Sequence, residues 1–274
     1  MKWPEYINLE RSEIMKSGFD IFGKAYGFMF RNDLHDENSV DYNFIRKMIL
    51  LDSDSEEYLY DPSKYIINKN IAYHDLYGFA QQFKGTSCLE SMRNILAYTR
   101  NIIVNFNLPF EDMMFGGTEK EIIERGTDWC TDISRVGCAL LQCLNIPCRM
   151  ITLVNTKQAY NGHTVCEVLV EKQFIMCDFT YGVFGLLDKG YSVKSLLRDR
   201  DAVEKIYSDI INLENNRGYI LGLYDKAAFN EYDLTKIHNY NISKPNEYYL
   251  SMMKLNHDGT WKLGENTYKK SNSV

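Results

Sequence analysis

The sequence predicts an α+β protein in which one buried helix packs on an antiparallel β-sheet. Two patterns in the middle of the chain carry this prediction. Residues 133–144 are apolar around most of a helical circumference, which is typical of a helix that is buried on all sides. Beyond Pro147 the apolar spacing changes to that of strands, and only Glu171 and Lys172 separate two strand-like runs. This second pattern indicates an antiparallel hairpin.

The first part of the chain is predicted to be helical. Residues 10–26 and 42–51 have apolar spacing compatible with amphipathic helices, and the acidic residues 51–60 predict a surface loop or short linker. A stronger helix is predicted to begin after Ser87. Ser87 and Glu90 form a capping-box pattern, in which each side chain satisfies a backbone N–H that the helix leaves free.

The elements around the buried helix follow from similar signals. Thr118 with Glu121 is a second capping box, which predicts a short helix that ends near Arg125. Either Thr127 or Asp128 is expected to cap the buried helix. After this helix, three strands are predicted at residues 149–155, 163–171 and 173–180. The chain beyond residue 192 returns to helical spacing.

Composition excludes several classes of protein. The chain has 274 residues, 45% of them hydrophobic, and a formal net charge of −6, which disfavours non-specific binding to nucleic acid. The chain shows no signal peptide at its start and no apolar run that is long enough to span a bilayer. We therefore expect a cytoplasmic protein that binds neither nucleic acid nor membrane.

The cysteine pattern favours free thiols. An odd number of cysteines without a closely spaced pair argues against both a disulfide framework and a structural zinc site. Cys138, Cys143 and Cys148 are regularly spaced, but no histidines accompany them, so neither a metal site nor any cofactor is predicted. Most of these side chains are expected to be small buried hydrophobes.

Cys130 differs because it lies in the first turn of the predicted buried helix. Unpaired N–H groups give a helix N-terminus a partial positive charge. That charge stabilises a thiolate, which is the nucleophilic form of cysteine. Taken alone, however, a free cysteine is more typical of an inert core residue.

The predicted hairpin brings a histidine close to an aspartate. If residues 171–172 form the turn, His163 and Asp178 both lie near the open end of the hairpin. An aspartate in that place can hold an imidazole in one tautomer and stabilise its protonated form. Because side chains alternate along strands, Cys166 and Cys177 are expected on the opposite face of the sheet.

Three motifs in this order resemble the core of transglutaminase-like proteins. They read C-T-D-I at residues 130–133 with L-N-I-P-C-R at 144–149, then H-T-V-C-E-V at 163–168, and D-F-T at 178–180. The resemblance covers about residues 87–185. It implies a papain-like catalytic core with Cys130 as nucleophile, His163 as general base and acid, and Asp178 as the orienting carboxylate. Residues 1–86 and 186–274 are then a helical N-terminal extension and a C-terminal extension that packs on the core.

The resemblance implies acyl transfer through a thioester on Cys130. Water as the acceptor gives an amidase or peptidase, and an amine gives a transamidase, with a peptide, protein or small-molecule amide or acyl compound as substrate. The motif departs from the family at Asn145, Val165 and Phe179, where glycine, tryptophan and proline are usual. Two other classes stay open, namely a catalytically silent binding or scaffold module and a redox or metal protein.

Other residues near the motifs have less specific predictions. Trp129 is expected either to line the substrate pocket or to pack on the helix end. Asp132 is expected to interact favourably with the helix dipole. Arg149 is predicted to pair with a carboxylate that supports the fold. The Cys130 backbone N–H is an expected oxyanion donor, together with an upstream side chain that the sequence does not identify.

Overall fold

The computed structural model describes residues 48–51, 53, 55–62, 69–103, 114, 116–127, 129–155, 162–214, 216–230, 260–263 and 266–269. The predicted helix at 10–26 and the candidate cap Asp128 lie outside these residues. The described part is α+β, as the sequence predicted: one six-stranded sheet whose paired strands are all antiparallel, with helices on both faces.

The six strands of the main sheet lie in the order β1-β6-β2-β3-β4-β5. Their bounds are Met48–Leu50 (β1), Cys148–Val154 (β2), Gly162–Val170 (β3), Gln173–Asp178 (β4), Val183–Phe184 (β5) and Lys226–Asn230 (β6). Two further strands, Thr260–Leu263 (β7) and Asn266–Lys269 (β8), pair with each other in a separate antiparallel hairpin.

The helices group by their position in the chain. Those that precede the central strands are Glu56–Leu59 (α1), Tyr77–Ala80 (α2), Cys88–Ile102 (α3), Glu119–Arg125 (α4) and Cys130–Cys143 (α5). Those that follow the hairpin are Val193–Leu196 (α6), Arg200–Ile206 (α7), Ser208–Glu214 (α8) and Arg217–Leu223 (α9). Two short 3₁₀ segments cover Lys69–Tyr73 and Gln81–Phe83.

The sheet has a hydrophobic core on each face. Helices α3 and α5 contribute to one core, and the segments from α6 to α9 contribute to the other. Side-chain alternation decides which strand residues face which core: Cys166 and Cys177 lie in the first, and their neighbours Val165 and Met176 lie in the second. Helix α5 is buried almost throughout, as its apolar circumference predicted.

The β3–β4 hairpin forms at the predicted place. Its turn residues Glu171 and Lys172 have φ angles of 47° and 71°, as a two-residue turn with φ > 0 at both positions requires. In the resulting register Cys166 lies opposite Cys177. The hairpin therefore places the ends of β3 and β4 that carry His163 and Asp178 side by side.

Three predictions outside residues 87–185 were wrong in part. Within residues 42–51, which were predicted to be helical, Met48–Leu50 form an edge strand that pairs with β6. The predicted loop at 51–60 contains α1, whose Leu59 is fully buried. The C-terminal extension also contributes β6, between β1 and β2. Short apolar runs do not distinguish helix from strand, and here pairing with distant strands decides.

None of the helices in the described ranges is both long and apolar enough to cross a membrane.

Candidate active site

The N-terminus of α5 is held by a short network that begins with Thr127. The helix has Trp129 as its N-cap residue, so neither candidate cap occupies that position. Thr127 instead holds the N-cap residue itself. Its hydroxyl oxygen accepts a hydrogen bond from the Trp129 N–H (3.0 Å) and lies 3.4 Å from an Asp132 oxygen. Cys130 is therefore the first residue of the helix.

Asp132 does more than interact with the helix dipole. Its side chain is fully buried, accepts a hydrogen bond from the Gly116 N–H at 2.7 Å, and lies 3.6 Å from Arg125 and 3.7 Å from Arg135. Arg135 in turn pairs with Glu119 at 3.0 Å. Burial raises the pKa of Asp132 despite these cations. The network ties α4 and the loop before it to the start of α5.

Cys130 is a partly exposed residue, and its thiol contacts His163. Its enclosure by itself would raise its pKa. A hydrogen bond with His163, the charge of that imidazole and hydrogen bonds from Thr164 outweigh this effect, so the pKa of the Cys130 thiol is lowered. A partly exposed cysteine whose thiol has a lowered pKa is typical of a reactive cysteine.

His163 lies between this thiol and Asp178. Its Nε2–H donates to the Asp178 Oδ2 at 2.8 Å, so Nδ1 is the ring nitrogen that is left for the hydrogen bond with Cys130. Burial alone would lower the pKa of His163, but the charge and hydrogen bond of Asp178, with a smaller contribution from Cys130, raise it to about 10. The geometry thus favours an imidazolium beside a thiolate.

Asp178 is fully buried and its carboxylate is held on both oxygens. Oδ1 accepts the backbone N–H groups of Thr180 (3.0 Å) and Tyr181 (3.1 Å). The ring of Tyr181 also lies against the His163 imidazole, with centroids 5.2 Å apart. These contacts fix the orientation of the carboxylate towards the histidine.

Two residues of the site were not predicted from sequence. The Tyr207 hydroxyl donates to Asp178 Oδ2 at 2.8 Å, the same oxygen that accepts from His163, and lies 3.0 Å from the Tyr224 hydroxyl. Both tyrosines are almost fully buried. The sequence contains 20 tyrosines, and no local pattern marks these two.

Helix α5 docks on the hairpin through small and polar side chains. The hydroxyls of Thr131 and Thr164 lie 3.0 Å apart, and the Ser134 hydroxyl donates to the Thr164 carbonyl at 2.9 Å. Further along, a Cβ at Gly137 would lie 2.5 Å from the ring of Phe179. Phe179, which stands where the resembled family has proline, thus fills the space that the glycine leaves open.

Arg149 pairs with a carboxylate inside the fold, as the sequence predicted. Its guanidinium is fully buried and forms two hydrogen bonds to Glu167, one of them from Nε at 2.8 Å. The other Glu167 oxygen accepts from the Tyr60 hydroxyl (2.8 Å) and the Val193 N–H (2.6 Å). This cluster joins β2 and β3 to both extensions.

The thiols form a different group from the one considered in the sequence. The sulfur atoms of Cys138, Cys148 and Cys166 lie within 4.8 Å of one another in the core, so this trio could share a metal ion on distance alone. Cys138 and Cys166 each donate to a backbone carbonyl, at 3.4 Å and 3.6 Å respectively. Cys143 is not part of the group, and all seven cysteines are free.

Trp129 precedes the Cys130 thiol and is partly exposed. This position is compatible with a pocket wall, and its role in substrate binding stays a prediction.

Comparisons with known proteins assign no family. No family model matches the chain, and no curated protein matches it. Among solved structures, the crystal structure of "a Putative Cysteine Protease from Cytophaga hutchinsonii" matches with 22% identity and a TM-score of 0.30. The match covers 47% of this chain and 43% of that chain, less than half of its length. A likeness at this level assigns no activity.

Proposed function

We propose that this protein is an enzyme that transfers acyl groups through a thioester on Cys130, with His163 as general base and acid and Asp178 as the orienting carboxylate. One observation carries the proposal: a single imidazole contacts the Cys130 thiol and donates to Asp178 at 2.8 Å. These are the contacts that a cysteine nucleophile and its base require.

The acylation step follows from the protonation states that the site favours. The Cys130 thiolate attacks the carbonyl carbon of the acyl donor, and the carbonyl oxygen takes the negative charge of a tetrahedral intermediate. As this intermediate collapses, the bond to the leaving group breaks and the protonated His163 gives its proton to that group. The product is a thioester on Cys130 and a neutral imidazole.

The second step regenerates the thiol. Neutral His163 removes a proton from the acceptor, which attacks the thioester carbonyl, and the sulfur leaves as thiolate beside the newly formed imidazolium. Water as acceptor completes hydrolysis, and an amine completes transamidation. In either case an amide, ester or other acyl derivative of a peptide, protein or small molecule is the donor class.

The start of α5 supports this chemistry electrostatically. The first backbone N–H groups of a helix have no partner within the helix, and Cys130 is the first residue of α5. Its backbone N–H is therefore the proposed donor to the oxyanion, where a fixed donor in a water-poor site stabilises the transition state.

The proposal is tested by trapping the acyl-enzyme. The chain is incubated with p-nitrophenyl acetate, quenched in acid, and the acetylated cysteine is located by tandem mass spectrometry. Acetylation is expected at Cys130 and absent in Cys130→Ala. Cys88→Ala is the matched control, because Cys88 is also the first residue of a helix and also partly exposed, and burial raises its pKa.

Two outcomes count against the proposal. Acetylation that is equal at Cys88 and Cys130 shows that Cys130 has no special reactivity. Rapid and selective alkylation of Cys130 without any acetylation from the ester assigns the chain to the silent binding class, since the nucleophile then exists without acyl transfer.

A further inference from the structure

The orienting carboxylate has a second partner, which comes from the C-terminal extension. Tyr207 lies just after α7, and its hydroxyl donates to Asp178 Oδ2 at the same 2.8 Å as the His163 imidazole. Tyr224, just after α9, lies 3.0 Å from the Tyr207 hydroxyl. Because the Tyr207 proton is used on the carboxylate, Tyr224 donates to the Tyr207 oxygen.

Both hydroxyls stay protonated at any ordinary pH. Burial and the negative charge of Asp178 raise the pKa of Tyr207 well above its usual value, and burial is the main reason that the pKa of Tyr224 is raised. The pair is therefore a fixed chain of neutral donors that ends on the carboxylate. Hydrogen bonds in such a chain polarise and strengthen one another in a buried site.

Two donors on one oxygen share its negative charge. A hydrogen bond from Tyr207 withdraws electron density from the oxygen that holds the imidazolium, so the pull of Asp178 on the His163 proton is moderated. It also holds the carboxylate at the oxygen that the backbone N–H groups of Thr180 and Tyr181 do not contact.

We propose that Tyr207, backed by Tyr224, is a positioning residue of the triad: it fixes the Asp178 carboxylate and shares its charge so that His163 can still release a proton to the leaving group. This inference rests on the proposed function and adds to it. The catalytic constellation is then completed by residues from outside the 87–185 segment that carries the triad.

Other titratable groups also act on this pair and belong in any account of its pH dependence. Around Asp178 and His163 they are Cys130 from α5, Cys177 and Tyr181 beside Asp178, and Glu167, whose charge acts on Tyr224. None of them donates to Asp178 Oδ2, so removal of the Tyr207 hydroxyl changes one contact of that oxygen and leaves the others in place.

The test measures the ion pair without a substrate. Iodoacetate is an anion, so its reaction with the Cys130 thiolate is fast while His163 is an imidazolium and slows as that proton is lost. The rate of Cys130 carboxymethylation is followed by peptide mass spectrometry from acidic to alkaline pH. The fall in this rate at high pH is the alkaline limb of the profile. In Tyr207→Phe the alkaline limb is expected to shift to a pH that is about half to one unit higher, since the carboxylate then holds the imidazolium more tightly.

Tyr60→Phe is the matched control. Tyr60 also donates to a buried carboxylate at 2.8 Å, that of Glu167, which is not part of the triad. A purely structural role for Tyr207 predicts that both variants unfold at lower urea concentration and that neither moves the alkaline limb. The proposal predicts that Tyr207→Phe alone moves it.

Each possible result either supports or overturns the inference about Tyr207. An alkaline limb that does not move in a folded Tyr207→Phe chain, or that moves equally in Tyr60→Phe, overturns the inference. If Tyr207→Phe does not fold, Tyr224→Phe replaces it: an upward movement supports the inference and an unchanged limb overturns it. Absence of a reactive Cys130 thiolate in the unmodified chain is a separate result, which overturns the proposed function itself.

Discussion

Cys88 and Cys130 provide an internal comparison for thiol activation. Each is the first residue of a helix, α3 or α5, and each is partly exposed. They differ in their neighbours. The pKa of Cys88 is raised by burial and by the charge of Glu171, whereas contacts with His163 lower the pKa of Cys130 despite its enclosure. The two cysteines thus share the same position at a helix terminus, and the neighbouring imidazole is what distinguishes Cys130 from Cys88.

The expected difference in alkylation rate follows from these pKa values. With a pKa above the ordinary 9.0, Cys88 is less than about one-thousandth thiolate near pH 6. Each unit by which the pKa of Cys130 lies below that of Cys88 raises the thiolate fraction of Cys130 about tenfold. A less basic thiolate is also a weaker nucleophile, which reduces the rate about threefold per unit. We therefore expect iodoacetamide to label Cys130 faster than Cys88 near pH 6, by about threefold for each unit by which the pKa of Cys130 lies below that of Cys88.

The assay is site-resolved mass spectrometry of the folded chain at several times of exposure to iodoacetamide. His163→Ala is expected to remove most of the advantage of Cys130, because the helix N-terminus is unchanged and only the imidazole is lost. Equal labelling of Cys88 and Cys130 in the unmodified chain, or an advantage that survives His163→Ala, refutes the claim that the imidazole activates the thiol.

Three more predictions concern stability in urea. Gly137→Ala places a Cβ 2.5 Å from the buried ring of Phe179 and is expected to lower the free energy of unfolding by about 1–3 kcal/mol. Gly218→Ala, in a helix with open space around this position, is expected to raise it by up to about 1 kcal/mol. Equal urea midpoints for the two variants would contradict the close approach at Gly137. Glu167→Gln leaves the buried Arg149 guanidinium without its counter-charge and is expected to lower the free energy of unfolding by about 3 kcal/mol. A decrease of less than about 1 kcal/mol would show that the pair is not isolated from water. Once Cys130 is replaced by alanine, stability is expected to fall as the pH rises above 6.5, because Asp178 still raises the pKa of His163 and the folded chain keeps a proton that the unfolded chain has lost. A flat profile above pH 6.5 would contradict the raised pKa.

The sequence predicted those features that depend on neighbours in the chain. The capping box at Thr118 and the hairpin turn at Glu171 and Lys172 are local signals, and the structure has both. The same hairpin sets His163 and Asp178 side by side, so their hydrogen bond followed from the two-residue turn. Helix α5 was predictable because few helices are apolar around most of their circumference.

Features that depend on distant pairing were not predictable. Strand β1 is only three residues long and exists because β6, from the C-terminal extension, offers it hydrogen bonds. Tyr207 is separated from Asp178 by 29 positions and shares no motif with it. The trio that contains Cys166 was missed because two distant contacts build it: the pairing of β2 with β3 brings Cys148 near Cys166, and the packing of α5 on the sheet adds Cys138.

The contacts across the predicted boundaries lead to a last prediction, on residues 87–185 expressed alone. Within the sheet, β2 pairs with β6 over five residues, and the buried Phe229 lies in the core behind it. The buried Arg149 also donates to the carbonyl of Leu59. Removal of both extensions opens the edge of β2, exposes one face of the sheet and strips Tyr207 from Asp178.

We therefore expect the 87–185 segment to lack a cooperative unfolding transition and to show no preference for Cys130 over Cys88 in alkylation. Circular dichroism during urea titration and site-resolved labelling measure the two properties separately, with residues 48–230 as the control because this longer segment keeps β1, β6 and both tyrosines. If the short segment unfolds cooperatively and keeps a selectively reactive Cys130, the extensions are not needed to build the site. If only the longer segment unfolds cooperatively and keeps a selectively reactive Cys130, the site depends on parts of the chain that carry none of its motifs.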